Sequence, residues 1–301
     1  MIKHINYIVK HYKSRLMFIS SMLIFGSIGI FRRYIPLSSG ILACTRGFLG
    51  GSFMLLCYTV KERKLRFKIN RKQFFLLCIT GAFIGVNWIF LFESYNYTSV
   101  AVSTLCYYMQ PAIVILLSPL FFKEKLTVKK LSCVVSSVIG IALVSGVTSV
   151  RSIGLTDIKG IIFGLLAAVF YSAVVIMNKK NPVDDTYGKT IVQLFSAAII
   201  LLPYLLFTGN LRGISIDVKS VIMIIIVGVL HTGIAYALYF GSLNHLSSQT
   251  VAIMSYIDPI FAIILSTVFL KEPMTIFSAV GAVMVIGAAI ISETDVFYKE
   301  Q

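Results

Sequence analysis

The chain has 301 residues, of which 57% are hydrophobic and only 13% charged, with a net charge of +15 and a mean hydropathy of +0.89. A soluble chain carries charge on about a quarter of its positions, so these values exclude water as the solvent of most of the surface and leave lipid. They also exclude nucleic acid as the partner of the positive charge, because the basic residues fall in short gaps between apolar runs rather than among aromatics on a polar face.

A helix needs about 20 apolar residues to cross the hydrocarbon, and that length divides the chain. Residues 1–15 are basic, with Lys3, Lys10, Lys13 and Arg15, and an apolar run over 16–35 follows. No small-x-small cleavage site precedes Arg32 and Arg33, so a retained first span is expected rather than a signal peptide. The second span covers 41–60 with Arg46 inside it, and 61–72 then holds seven Lys or Arg against one Glu. Span three covers 73–93 and span four 98–122, joined by a tight link that holds Asn96. Span five covers 131–147, and a hydrophilic stretch over 148–159, with Arg151 and Asp157, precedes span six at 160–177. The link 178–189 carries Pro182, Asp184 and Asp185; spans seven to ten are then expected over 190–207, 218–243, 247–270 and 276–292. Cys44, Cys57, Cys78, Cys106 and Cys133 fall in or at the ends of apolar runs, without a C-x-x-C pair, and read as small packing residues.

The chain repeats itself. A shift of 148 positions sets Gly85, Ser94, Asn96, Ser99, Tyr108, Pro111, Lys123, Glu124 and Thr127 on Gly233, Ser242, Asn244, Ser247, Tyr256, Pro259, Lys271, Glu272 and Thr275. With apolar matches such as Phe92 on Phe240 and Leu117 on Leu265, about fourteen of roughly 43 positions are identical. The expected units are 1–150 and 151–301, each with five spans. If the N-terminus is cytoplasmic, inside segments hold 19 Lys and Arg and outside loops 7, so a multi-pass protein of the cell (cytoplasmic) membrane with both termini cytoplasmic is expected. An odd number of spans per unit makes the second copy enter from the opposite side. The expected fold is therefore all-α integral membrane, ten transmembrane helices in two inverted five-helix repeats, a geometry in which one half can rock against the other around a midplane site.

The Pro-containing span that ends in Lys123-Glu124-Lys125-Leu126-Thr127, its echo at Lys271-Glu272-Pro273-Met274-Thr275, and Arg46 in span two resemble the EamA-type transporters of the drug/metabolite transporter superfamily. The resemblance covers nearly the whole chain and is strongest over 81–145 and 228–292. It implies two inverted helical bundles around a central cavity and the export or uptake of small metabolites, often amino acids, with export the expected direction. The family's frequent Trp-Gly in span one is Phe25-Gly26 here.

Candidate site residues follow from the polar groups at membrane depth. Tyr108-Met109-Gln110-Pro111 and Tyr256-Ile257-Asp258-Pro259 occupy equivalent places halfway along spans four and nine. Proline opens the hydrogen-bond ladder and frees carbonyls for a ligand or water, so Pro111 and Pro259 are expected kinks; packing kinks are the alternative. Asp258 stands out, because a carboxyl near the bilayer centre costs on the order of 3 kcal/mol on insertion scales. It could bind a substrate ammonium or carry a coupling proton; alternatively it pairs with Arg46 or hydrogen-bonds His231. Arg46 could snorkel to the outer interface, pair structurally or bind a carboxylate. Glu93 reads as a rim residue, and His231 as a packing residue or a proton relay. Trp88, Tyr107, Tyr108, Tyr236, Tyr239 and Tyr256 are wall or interfacial-belt aromatics, with Gln110, Asn87 and Gln193 as neutral hydrogen-bonding groups. The Gly47/Gly51, Gly81/Gly85 and Gly160/Gly164 spacings read as helix packing contacts.

Secondary transport of a small zwitterionic or amphipathic metabolite is the expected function, with the lipid bilayer and the substrate as partners, protons as a possible coupling ion, and a monomer or homodimer as the unit. The sequence has no Walker A motif for ATP and no H-E-x-x-H or G-x-S-x-G for an intramembrane enzyme, and no metal or cofactor is expected. A channel or scaffold is the other class. It accounts for the repeat but not for a polar residue before each mid-span proline.

Overall fold

The computed structural model describes residues 2–62, 67–123, 126–144, 154–181, 183–207, 217–243, 246 and 254–297. Among them every regular element is a helix: α1 (Ile2–Arg33), α2 (Ser39–Glu62), α3 (Arg71–Tyr97), α4 (Val100–Tyr107), α5 (Gln110–Phe122), α6 (Val128–Val144), α7 (Leu155–Lys180), α8 (Thr186–Phe207), α9 (Val218–Ile225), a π-helical segment (Ile226–Ile234), α10 (Ala235–Leu243), α11 (Ile257–Phe269) and α12 (Ile276–Phe297). Among the described residues seven stretches are long and apolar enough to cross a membrane, and Ile257–Phe269 and Ile276–Ala288 are shorter apolar helices. The ten expected spans are thus matched in part. Expected span five runs past Val144 and span nine begins before residue 254, and those portions lie outside the described residues, as do Glu124, Lys125, Arg151, Pro182, Asn244 and Ser247.

Polar side chains punctuate these helices where backbone N–H groups lack a partner. Asn70 accepts from Gln73 N–H at 2.8 Å and Gln73 returns the bond to Asn70 N–H at 3.0 Å, which starts α3. Ser99 caps α4 through Val102 N–H (3.0 Å), and Asp217 caps α9 through Ser220 N–H (3.0 Å). Span four is divided: α4 stops at Tyr107, Tyr108–Met109 turn, and α5 restarts at Gln110 with Pro111 in its first turn. Proline has no N–H to give and is tolerated there. Among the described residues two non-glycines have positive φ, Lys123 (56°) and Lys271 (53°), which are the same lysine of the repeat. The left-handed Lys271 turns the chain so that Glu272 N–H reaches Ser266 O at 3.2 Å.

The exterior is apolar, unlike that of a soluble protein, while the interior sets polar groups among an apolar core. Leu120, Val169, Ile199, Val268 and Val283 are exposed, while Ser21, Asn87, Ser94, His231 and Thr232 are buried at 1% or less. Lipid favours this arrangement, because apolar side chains lose nothing by facing it and polar ones must find partners inside. α3 packs on α7 and α8, α2 on α8 and the π-helical segment, α1 on α10 and α11, and α6 on α12.

Small residues set the close crossings. A Cβ on Gly81 would stand 2.5 Å from Gln193 O, one on Gly85 2.9 Å from Ala197 O, and one on Gly164 2.7 Å from the Cys106 Cβ. Gly81→Val is therefore expected to cost about 1–3 kcal/mol through overpacking against α8. Thermal unfolding in detergent should show the loss, while Gly287→Ala, where nothing lies within 4 Å, should leave the midpoint unchanged or raise it slightly.

Candidate functional site

The breaks in α4–α5 and before α11 bring polar residues of the two repeated segments face to face. Tyr108 sits in the turn after α4, and its hydroxyl donates to Asp258 Oδ2 at 2.8 Å. Asp258 lies in the first turn of α11, one residue before Pro259. Both line a cavity of about 400 Å³, within the size range of small-molecule sites. Asp258 is neither paired with Arg46 nor bonded to His231 as the packing alternative had it; the described partner is the tyrosine.

Arg46 lies on the cavity wall as well, and it does not snorkel. It is 5% exposed, its Nε donates to Thr232 Oγ1 at 2.8 Å, and its guanidinium carbon lies 4.3 Å from the centroid of Trp88 and 5.7 Å from that of Phe92. Thr232 in turn donates to Val227 O, five residues back, at 3.1 Å. That bond matches the i to i−5 spacing of the π-helical segment, which widens the helix where it meets α2. A desolvated cation over an aromatic face gains about 2 kcal/mol, but neither ring nor hydroxyl cancels its charge.

Aromatic rings form much of the remaining wall. Tyr107 packs on Tyr171 at 5.5 Å and edge-on against Tyr108 at 5.9 Å, and Phe25 meets Tyr236 edge-on at 5.2 Å and Tyr239 at 6.4 Å. Phe25, in the place of the family's tryptophan, keeps an aromatic ring on the cavity. At the far end Gln193 Nε2 donates to Asn178 Oδ1 (2.9 Å) and Thr80 Oγ1 (3.0 Å), and Asn178, Thr186 and Lys189 form a polar mouth. Gln110 also lines the cavity, and its backbone carbonyl accepts from Ser172 at 3.1 Å.

Of the polar and aromatic residues singled out in the sequence, Asp258, Gln110, Tyr108, Trp88, Arg46, Tyr107, Tyr236, Tyr239 and Gln193 line this cavity, whereas Asn87, His231, Tyr256 and Glu93 do not. Asn87 is 1% exposed and donates to Ala167 O at 2.6 Å, tying α3 to α7. His231 Nε2 is 2.9 Å from Ser27 Oγ, and its ring stands edge-on to Phe31 at 4.6 Å, so it joins the π-helical segment to α1. Tyr256 is 5% exposed behind Tyr108, with ring centroids 6.5 Å apart. Glu93 lies off the cavity and accepts from Asn96 at 3.4 Å. Sequence reasoning missed Tyr171, Asn178, Thr104 and Lys189. None of these four lies where the duplicated segments align two polar positions, the signal that selected Tyr108, Gln110, Tyr256 and Asp258. Among the described residues no group of three His, Cys, Asp or Glu could hold a metal ion.

An all-helical protein with a lipid-compatible exterior and a polar, aromatic-walled cavity inside is a multi-span membrane protein built to enclose a small molecule. The chain belongs to the EamA-like transporter family, which matches residues 13–146 and again 158–294, and it is a membrane transporter. It is similar to the uncharacterized transporter YxxF of Bacillus subtilis (strain 168), with 34% identity over 88% of this chain and 84% of that one. It is also similar to protein PecM of Dickeya dadantii (strain 3937), with 26% identity over 71% and 72% of the two chains. A solved crystal structure shares the fold with a TM-score of 0.63 at 15% identity, covering 93% of this chain and 97% of that one.

Proposed function

We propose that the chain is a secondary transporter that moves a small zwitterion with an apolar body, an amino acid or a related compound, across the cytoplasmic membrane in the export direction. The observation that carries this reading is one cavity bearing a carboxylate, Asp258, and a cation, Arg46, between aromatic walls. Asp258 would take the substrate ammonium, Arg46 its carboxylate, and Tyr107, Tyr108, Trp88 and Tyr236 its apolar body, with Gln110 and Gln193 as orienting amides. Asn87, His231 and Tyr256 would hold the wall from behind.

The same reading has ten spans in two inverted halves, 1–150 and 151–301, both termini cytoplasmic, and alternating access between the halves. The packing supports a reciprocal relation. α3 crosses α7 and α8 much as α9–α10 with the π-helical segment cross α1 and α2; α4–α5 meet α7 as α11 meets α1; α6 and α12 meet each other. The shared left-handed lysines at 123 and 271 support it further.

Counterflow into proteoliposomes tests the proposal. Labelled amino acid should accumulate only when unlabelled amino acid is trapped inside. Ion current without counterflow would sink the carrier reading in favour of a channel, and neither signal across an amino-acid and amine panel would sink both.

A further inference from the structure

The cavity is closed unequally at its two ends. At the Asn178–Lys189 end its lining residues are partly exposed. At the other end Tyr95 (3% exposed), on the cavity wall, and Val100 (0%) pack against α1, where a Cβ on Gly29 would stand 2.5 Å from Val100 Cγ1. Beyond this apolar plug lies a charged cluster drawn from both sequence repeats. Glu272 accepts from Val100 N–H at 2.9 Å through Oε1 and from Ala101 N–H at 3.3 Å through Oε2, so one carboxylate spans the first two N–H groups of α4. Arg33, at the end of α1, approaches Glu272 Oε1 at 3.5 Å and donates to Thr98 O at 2.6 Å.

We propose that Glu272, Arg33 and the first turn of α4 form the latch that seals the transport cavity on this face, and that the latch opens when the cavity opens there. This rests on the transporter reading above. The chemistry suits a reversible contact. A carboxylate at a helix N-terminus is held by N–H groups and by the helix dipole, both of which water can replace once the cluster opens. The side chains of Arg33 and Glu272 are 34% and 15% exposed, so release does not require moving a charge through apolar packing. Opening separates Glu272, in the second repeat, from α1 and α4, in the first. Plug and latch move together because Val100 supplies both the apolar side chain of the one and an N–H of the other.

On the opposite face the last turn of α7 carries Lys179 and Lys180 where that of α1 carries Arg32 and Arg33. There the Nζ atoms lie over Phe122 (4.2 Å) and Phe121 (4.9 Å) at the end of α5.

Side-specific labelling tests the latch without any substrate. Thr104→Cys, in a chain whose five native cysteines are replaced by Ala or Ser, places a thiol on the cavity wall next to the plug. A membrane-impermeant maleimide added to whole cells or to inverted vesicles then reports access from each face. Glu272→Gln is expected to raise labelling from the latch face about tenfold, the population shift that follows loss of a charge-assisted contact, and to lower labelling from the other face. Arg33→Gln, at a more exposed position, is expected to shift labelling the same way and decides the matter if Glu272→Gln fails to fold. Unchanged labelling from the latch face in a folded variant, or an equal rise from both faces, overturns the proposal. A chain that gates its thiol in this way but shows no counterflow would overturn the transporter reading and leave the latch standing.

Discussion

Asp258→Asn is expected to slow substrate counterflow by a hundredfold or more while leaving the protein folded. Asn is isosteric with Asp and keeps an oxygen for the Tyr108 hydroxyl, now 2.8 Å from Asp258 Oδ2, so the wall should hold its shape. What disappears is the charge opposite a substrate ammonium. A hydrogen bond to a charged group is worth about 1.5–3 kcal/mol, and the Coulomb attraction of a close pair in a partly screened site is of the same order or more, so about 10²-fold in affinity is the minimum expected. Stability should move the other way. A carboxylate at membrane depth is costly, so the Asn variant should unfold at the same temperature or higher in detergent. Tyr108→Phe makes the matching comparison: it removes one donor and spares the charge, and about a tenfold loss is expected. Counterflow and thermal unfolding of both variants check the pattern. Parental counterflow in Asp258→Asn would remove the carboxylate from the site, and a rate that stays pH-dependent in that variant would assign any coupling proton to another group.

The fold class was readable because lipid enforces it. Every backbone polar group at membrane depth needs an internal partner, so long apolar runs separated by basic gaps can only be helices. The duplicated Tyr-x-x-Pro and Tyr-x-Asp-Pro segments located the turn that carries Tyr108 and the start of α11 that carries Asp258. Facing was much less readable. A helix that is apolar all round has no amphipathic stripe to say which side meets a cavity, so Tyr171 on α7 escaped notice while Asn87 and Tyr256, which sit behind the wall, were selected. Arg46 shows the same limit in depth. Counted from the start of its apolar run it lies near enough to an interface to snorkel, yet Thr232 and Trp88 hold it inside. Nothing in the apolar string IVGVLHTGI announces the π-helical geometry that carries Thr232 to meet it. Glu272 was visible only as half of a repeated Lys-Glu pair; its contact with α4 joins positions 172 apart in sequence.

Arg46→Met is expected to weaken substrate binding about a hundredfold and to abolish discrimination between an amino acid and its amide, the analogue whose carboxylate charge is removed. In the parent protein that discrimination should itself be about a hundredfold, since the described contacts of Arg46 are one hydroxyl and two ring faces, which leave its charge uncompensated toward the cavity. Substitution and analogue remove the same interaction from its two ends, so their effects should not add, and a double-mutant cycle with the ligand as one partner measures the coupling directly. Arg46→Lys separates charge from shape. It keeps the cation but loses the planar group over Trp88 and the Nε bond to Thr232, so binding should fall about tenfold with part of the discrimination retained. Stability again distinguishes a ligand from a strut. A charge held for substrate is a burden on the empty protein, so Arg46→Met should unfold no lower than the parent, whereas an arginine that ties α2 to the π-helical segment should lower the midpoint when replaced. Binding is read by the ligand-induced rise in unfolding temperature across a concentration series. If Arg46→Met still prefers the amino acid to its amide by the parental factor, the carboxylate of the substrate lies elsewhere in the cavity and the cation serves the wall alone.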